Sequence, residues 1–295
     1  KSGEFHVVTG THALISDTTE FKRLGLVIMD EQHRFGVNQR AKLAQKGMNP
    51  HRLVMSATPI PRTLAMIIYG DLDISVLDEL PKGRQKIETF AVTDKLRERA
   101  CGFVRKQLDE GRQAYIVCPM IEEDENGLAS AKSYAENAAK NEFKDYTIGI
   151  LHGKMSPQEK NEAMERFKSG ETQLLVATTV VEVGVDVPNA TVIMIENAER
   201  FGLSQLHQLR GRVGRGSHQS YCILIAGNVS PETRERLKIM TETSDGFRIS
   251  EYDLKMRGAG DFFGERQHGL PEMRLADPSM DRQIISTAQN AAKDI

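Results

Sequence analysis

Asp30 and Glu31 stand side by side at the end of an apolar run, followed by Gln32 and His33. One carboxylate of such a pair can hold a hydrated Mg2+, which prefers carboxylate oxygen and keeps several of its waters. The other can orient or deprotonate a water that attacks a phosphate. A solvated strand end with a chance acidic pair would carry the same letters. Ser56, Ala57 and Thr58 close the next apolar run. Small hydroxyls there can bond a neighbouring carboxylate and sense its state, or simply cap a turn. Thr178 and Thr179 follow a third run and lead into an apolar stretch that ends in Gly184, Val185 and Asp186. Hydroxyls and backbone N–H groups at a helix start can bind a phosphodiester; plain N-capping uses the same groups. Last come Gln208, Arg210, Arg212 and Arg215, the arginines spaced by Gly211 and Gly214. Guanidinium forks where backbone can approach closely suit bidentate binding of phosphate oxygens and charge stabilisation in phosphoryl transfer. The alternative is a basic surface turn or a general nucleic-acid patch.

The elements that must position these groups alternate between short apolar strands and amphipathic helices. Residues 24–30, 52–57 and 73–77 read as strands, with a helix over 61–69 that opens on Pro61 and stops before Gly70. Pro81 and Gly83 mark 79–85 as a linker, which places a domain boundary after residue 85. Beyond it, a helix over 93–110 carries Leu96, Ala100, Phe103, Val104 and Leu108 on one face and is closed by Gly111. Strands follow at 114–118, 146–151, 173–177, 191–195 and 221–226, with a helix over 126–143. Ser156, Pro157 and Glu159 form a capping box with proline at the first helical position, and Gly170 ends that helix. A helix over 230–243 opens on Ser230 and Pro231, and a short one covers 250–257. The alternation implies an α/β fold, with parallel sheets flanked by helices on both faces. In such sheets ligands bind beyond the carboxyl ends of the strands, where several of these constellations sit.

Composition sets outer limits. The 295 residues suggest two domains, and 39% hydrophobic residues suffice for real cores. No apolar run approaches the roughly 18 residues of a membrane span. Cys101, Cys118 and Cys222 are far apart with no CxxC, which argues against a disulfide framework or zinc site and for a reducing, cytoplasmic setting. A net charge of -2 averages over the chain and leaves local basic patches open.

Taken in order, the words DEQH, SAT, TTVVEVGVDVP and QLRGRVGRG resemble motifs II, III, V and VI of superfamily-two helicases. The surrounding words GTHALI, DEQHRFGV, SATPIPRTLAM, GRQAYIVCPMIEE and QLHQLRGRVGRG resemble the RecG family of bacterial branched-DNA translocases over essentially the whole chain. The Mfd family of transcription-repair coupling factors shares much of this vocabulary and stays as an alternative. A non-catalytic DNA-binding module is another alternative. A metal-dependent nuclease using Asp30 and Glu31 lacks further acidic ligands.

The resemblance implies the last part of a RecA-like domain 1 over 1–85 (motifs Ib, II and III) and a complete RecA-like domain 2 over 86–228 (motifs IV to VI). A helical hairpin with a translocation loop and a tail would fill 229–295, the loop lying over 257–267. It implies ATP and Mg2+ as ligands, with Asp30 holding the metal and Glu31 activating water. Arg212 and Arg215 would reach the γ-phosphate, and Gln208, Gly184 and Asp186 would line the nucleotide site. Gln32, His33, Ser56, Thr58, Arg257 and Gln267 would couple that site to DNA, while Thr11, His12, His152, Gly153, Thr178 and Thr179 would face the DNA backbone. Forks and Holliday junctions are the implied substrates, single-stranded DNA-binding protein a further partner, and a nucleoid-associated monomer the implied state. A phosphate-cradling G-x-x-x-x-G-K-[ST] loop is absent from these 295 residues: the one Gly-Lys pair, Gly153-Lys154, precedes Met155. The expectation is therefore a fragment of a longer chain, inactive as an ATPase by itself.

Overall fold

Period-2 alternation along buried strands decides the architecture. Tyr115 and Val117 point to one face of a sheet and Ala114 and Ile116 to the other, and all four are buried. Only a sheet covered on both sides accommodates that pattern. The structure, a computed structural model, describes residues 3–31, 42–43, 45–57, 73–77, 79, 84–119, 128–179, 186–227, 229–263, 287 and 291. The chain divides into two compact units, residues 1–59 and 60–295.

In the smaller unit, strands β1 (Leu26–Met29) and β2 (His51–Val54) pair in parallel, in register from Leu26 opposite His51 to Met29 opposite Val54. Val27 and Met29 are buried, whereas Leu26 and Ile28 on the other face are exposed. A short 3-10 helix, His12–Ile15, precedes them. The helix expected over 61–69 lies outside the described residues.

The larger unit is built on six strands: β3 (Glu88–Thr93), β4 (Gln113–Val117), β5 (Ile148–Leu151), β6 (Leu174–Ala177), β7 (Ala190–Ile195) and β8 (Tyr221–Ala226). Every pairing is parallel, in the order β3-β8-β7-β4-β6-β5. Helices α1 (Arg97–Asp109) and α2 (Leu128–Lys140) cover one face, where Cys101, Val104 and Leu108 meet Ile116, Val176 and Met194. Helices α3 (Pro157–Lys168), α4 (Leu203–Arg210), α5 (Pro231–Glu242) and α6 (Gly246–Phe263) contribute Phe167, Leu206, Leu237 and Ile249 to the core on the other.

Local signals act as expected where one physical rule dominates. The Ser156 hydroxyl accepts from Glu159 N at 3.3 Å and the Glu159 carboxylate accepts from Ser156 N at 2.7 Å, completing the capping box of α3. Gly111 and Gly170 take left-handed φ of 78° and 84°, closing α1 and α3. Two expectations fail, and one strand is unexpected. Residues 88–93, which mix polar and apolar residues, form an edge strand by pairing with β8. Residues 73–77 form no strand, have no ladder partner among the described residues and leave Leu77 exposed. The short helix expected over 250–257 is an 18-residue helix that passes through Arg257, so 257–263 are helical rather than loop. Gly258 and Gly260 lie inside it, and an interior glycine costs a helix only about 1 kcal/mol.

Candidate functional site

Asp30 and Glu31 emerge from the carboxyl end of β1. Glu31 N donates to the Asp30 carboxylate at 2.9 Å, and Glu31 holds a left-handed φ of 51°. Such a conformation costs a non-glycine residue of order 1–3 kcal/mol and is typical of functional turns. Met55 N donates to the Met29 carbonyl at 2.8 Å, extending the pairing one step. Ser56 therefore leaves the end of β2 beside the acidic pair of β1. Thr11 is the exposed N-cap of the 3-10 helix that contains His12. Gln32, His33 and Thr58 lie outside the described residues, as do Gly184 and Gln267.

In the larger unit the expected groups divide between the two ends of the sheet. At the carboxyl end, Leu151 of β5 pairs with Ala177 of β6, so His152 and Thr178 follow on adjacent strands. Thr178 is 1% exposed; its N donates to the Leu151 carbonyl at 3.1 Å, and its hydroxyl lacks a hydrogen-bond partner among the described residues. The buried Nδ1 of His152 is likewise unpartnered. Burial pushes the His152 imidazole below its usual pKa, and Lys160, Lys132 and Lys154 push the same way against Glu159. Lys160 Nζ also donates to the Gly153 carbonyl at 2.7 Å. A hydroxyl and a ring nitrogen without partners among the described residues, in a cationic neighbourhood, can donate to phosphodiester oxygens, and Thr179 continues the same strand end.

The amino end carries the arginines. Helix α4 ends at Gly211, Val213 plugs into the core with no exposure, and Gly214 turns the chain with φ 77°. Arg215 Nη1 stands 3.7 Å from Asp186 Oδ1, and Arg215 Nε donates to the Gly211 carbonyl at 3.3 Å. The side chains are 29% and 58% exposed, so the ion pair is weak and open to replacement by a stronger anion. Arg212 and Arg215, with Asp186, are the charges felt by the buried Tyr115 phenol, whose pKa burial raises. Arg212 and Gln208 are partly exposed near the end of α4.

Arg210 does not belong to this set. It is 3% exposed, and its Nη1 donates to the carbonyls of Met240 and Thr243, at 2.8 and 2.9 Å, at the end of α5. Its Nη2 lies 2.9 Å from His207 Nδ1. Burial, and then the Arg210 charge, hold His207 down to about 4, so the neutral ring can accept that bond. A signal for this was present: Arg210 stands seven residues after Leu203 on the buried stripe of Leu203 and Leu206. Arg257 lies in α6.

The turn tolerates no added bulk. A Cβ on Gly216 would lie 2.3 Å from the Pro188 carbonyl oxygen, an atom of the backbone. Gly216→Ala is expected to destabilise the chain by about 2–3 kcal/mol, read as a lower urea midpoint. Gly102→Ala in the open interior of α1, with only Arg105 Nη2 at 3.7 Å, should instead raise it by about 0.5–1 kcal/mol. An unchanged midpoint for Gly216→Ala would contradict this packing.

Residues 1–67 match the DEAD/DEAH box helicase family and residues 95–217 the helicase conserved C-terminal domain. Residues 243–295 match the C-terminal part of domain 3 of ATP-dependent DNA helicase RecG. Over its whole length the chain is 52% identical to the ATP-dependent DNA helicase RecG of Bacillus subtilis. Along its whole length it is similar to the RecG family. The RecG of Thermotoga maritima is 50% identical across the chain. The chain spans 43% of the Bacillus protein and 38% of the Thermotoga protein, less than half of either. A solved structure of RecG bound to a three-way DNA junction superposes with a TM-score of 0.72 at 48% identity, over 94% of this chain and 35% of that one. Mss116p bound to single-stranded RNA and AMP-PNP, 18% identical with a TM-score of 0.58 over 79% of this chain and 49% of that one, shares the fold. The RecG match at 243–295 favours RecG over the Mfd alternative.

Proposed function

We propose that this chain carries most of the motor of an ATP-dependent DNA helicase that remodels branched DNA, regressing stalled forks and processing Holliday junctions in repair and recombination. The carrying observation is the division of phosphate-seeking groups between opposite ends of one sheet. Arg212 and Arg215, the latter paired with Asp186, stand at the amino end, and His152 and Thr178 at the carboxyl end. Two separated sets suit two ligands, a nucleotide and a nucleic-acid backbone. Similarity to RecG adds the direction of the reading.

In this reading Asp30 holds Mg2+, Glu31 takes the proton of the attacking water, and Arg212 and Arg215 neutralise charge developing on the γ-phosphate, with Arg215 as the arginine finger. Gln208, Gly184 and Asp186 line the same site. The donor set fits Mg2+: the carboxylate of Asp30 is exposed at its strand end, and no group of three or more His, Cys, Asp or Glu stands ready for a metal among the described residues. That suits an ion held largely by water and nucleotide, and when bound it withdraws charge from the phosphate oxygens. His152, Gly153, Thr178 and Thr179, with Thr11 and His12, contact DNA phosphates and so give affinity without sequence. Gln32, His33, Ser56, Thr58, Arg257 and Gln267 couple the two sites. We place the end of RecA-like domain 1 at residue 85, domain 2 over 86–228 and the hairpin region from 229. A monomer acting on the bacterial nucleoid, with single-stranded DNA-binding protein as a partner, completes the reading.

A full-length RecG chain carrying this sequence is expected to unwind a three-way junction only with ATP. Junction binding without ATP-driven unwinding would support the non-catalytic binding module. Arg257→Ala should spare junction-stimulated ATP hydrolysis within about twofold and lower unwinding about tenfold or more. Equal loss of both would make Arg257 merely structural.

A further inference from the structure

The residues just ahead of β3 run along the arginine turn and are fastened to it. Arg84 Nε donates to the Gly214 carbonyl at 3.1 Å, and Gln85 Nε2 donates to the Ser217 carbonyl at 3.0 Å. Gln219 Nε2 donates back to the Lys86 carbonyl at 2.8 Å, and Glu88 N donates to the Ser220 carbonyl at 3.0 Å, where the β3–β8 ladder begins. Ile87 fills the space beside Gly214: a Cβ there would lie 2.8 Å from Ile87 Cγ1. The last three of the four hydrogen bonds close a sheet edge. The first does something else, because the Gly214 carbonyl belongs to the peptide that leads into Arg215.

The Arg215 side chain is loosely held, by one carbonyl at 3.3 Å and one exposed carboxylate at 3.7 Å. Its aim therefore depends chiefly on its backbone, and the plane of the Gly214–Arg215 peptide orients that backbone. Gly214, at φ 77°, occupies a region open to glycine, whose freedom would otherwise leave the peptide plane free to rotate. Arg84 comes from 130 positions earlier in the chain, in the stretch read as the linker between domains. A shift in the path of that stretch is transmitted to the turn through this bond.

We propose that Arg84 is a positioning residue for Arg215, making the geometry of the arginine turn depend on the path of the chain just ahead of β3. The inference rests on the reading of Arg215 as the residue that reaches the nucleotide. Positional errors of about 1 Å in such a group cost on the order of a hundredfold in rate, so a partial loss of aim should cost less.

The test measures junction-stimulated ATP turnover in a full-length RecG chain carrying this sequence. The variants are Arg84→Ala, Arg84→Lys, Arg215→Ala and the double Arg84→Ala, Arg215→Ala. Arg84→Ala is expected to lower kcat about tenfold and to leave KM for ATP within about twofold. Arg84→Lys, which keeps a donor for the Gly214 carbonyl, should recover most of the rate. In the Arg215→Ala background the Arg84→Ala change should add no further loss, because its effect passes through the missing side chain. Wild-type kcat for Arg84→Ala beside an impaired Arg215→Ala overturns the inference and leaves the parent reading standing. So does the same fractional loss in both backgrounds, or a lowered Tm with unaltered kcat, either of which assigns Arg84 to packing of the sheet edge. Wild-type turnover by Arg215→Ala overturns the inference together with the reading beneath it.

Discussion

Glu31→Gln in a full-length RecG chain carrying this sequence is expected to lower ATP turnover at least about a hundredfold while ATP binding stays within about twofold. The amide has the size of the carboxylate and keeps an acceptor oxygen, but at neutral pH it cannot take a proton from water. The Glu31 N–H that donates to the Asp30 carboxylate is a backbone group, kept by the substitution, and Asp30 is unchanged. The proposed Mg2+ ligand is therefore retained, which separates loss of the base from loss of the metal. Equilibrium binding of a fluorescent ATP analogue and single-turnover hydrolysis report the two quantities. Normal turnover would remove Glu31 from its role. Loss of nucleotide binding would show that the left-handed φ of 51° carries a structural demand that the amide fails.

Arg215→Ala should have the larger effect on kcat, about a thousandfold, as expected for an arginine finger. Arg215→Lys should recover little of it, since an ammonium lacks the planar fork that pairs two phosphate oxygens. The fold should not notice the change. Arg215 gives up only a 3.7 Å contact with a 58% exposed Asp186 and one bond to the Gly211 carbonyl, and weak exposed pairs contribute little to stability. Thermal melting should stay near that of the parent, and KM for ATP should move far less than kcat. A rate within threefold of wild type would take Arg215 out of the phosphate site and leave Arg212 as the only candidate on that turn.

Much of this was legible in the linear order of residues, and the reasons are local. Strands such as Tyr221–Ala226 are apolar on both faces, so their burial could be read without knowing their neighbours. Ser156 and Glu159 are three apart, and that spacing alone builds a capping box. The acidic pair after Met29 could be placed at a strand end because the run before it is short and continuous. Edge strand β3 escaped because Glu88–Thr93 mixes polar and apolar residues, and only pairing with β8 makes it a strand. Helix α6 was read too short because glycines stop helices only when packing gives the chain no reason to continue.

The sequence by itself determined the chemical vocabulary: a carboxylate pair, hydroxyls at strand ends, and arginines between glycines. It also determined the α/β alternation that carries them, since periodicity and caps act over a few residues. Tertiary structure alone decided how those groups are sorted. Arg210, Arg212 and Arg215 look alike as letters, yet Arg210 is turned into the core to hold the last carbonyls of α5. Thr178 and Asp186 are close in sequence, yet they belong to opposite ends of the sheet. Arg84 and Gly214 are far apart in sequence, yet they share a hydrogen bond. The reason is that direction and neighbourhood depend on strand order and on which helix covers which face, and no window of adjacent residues encodes either.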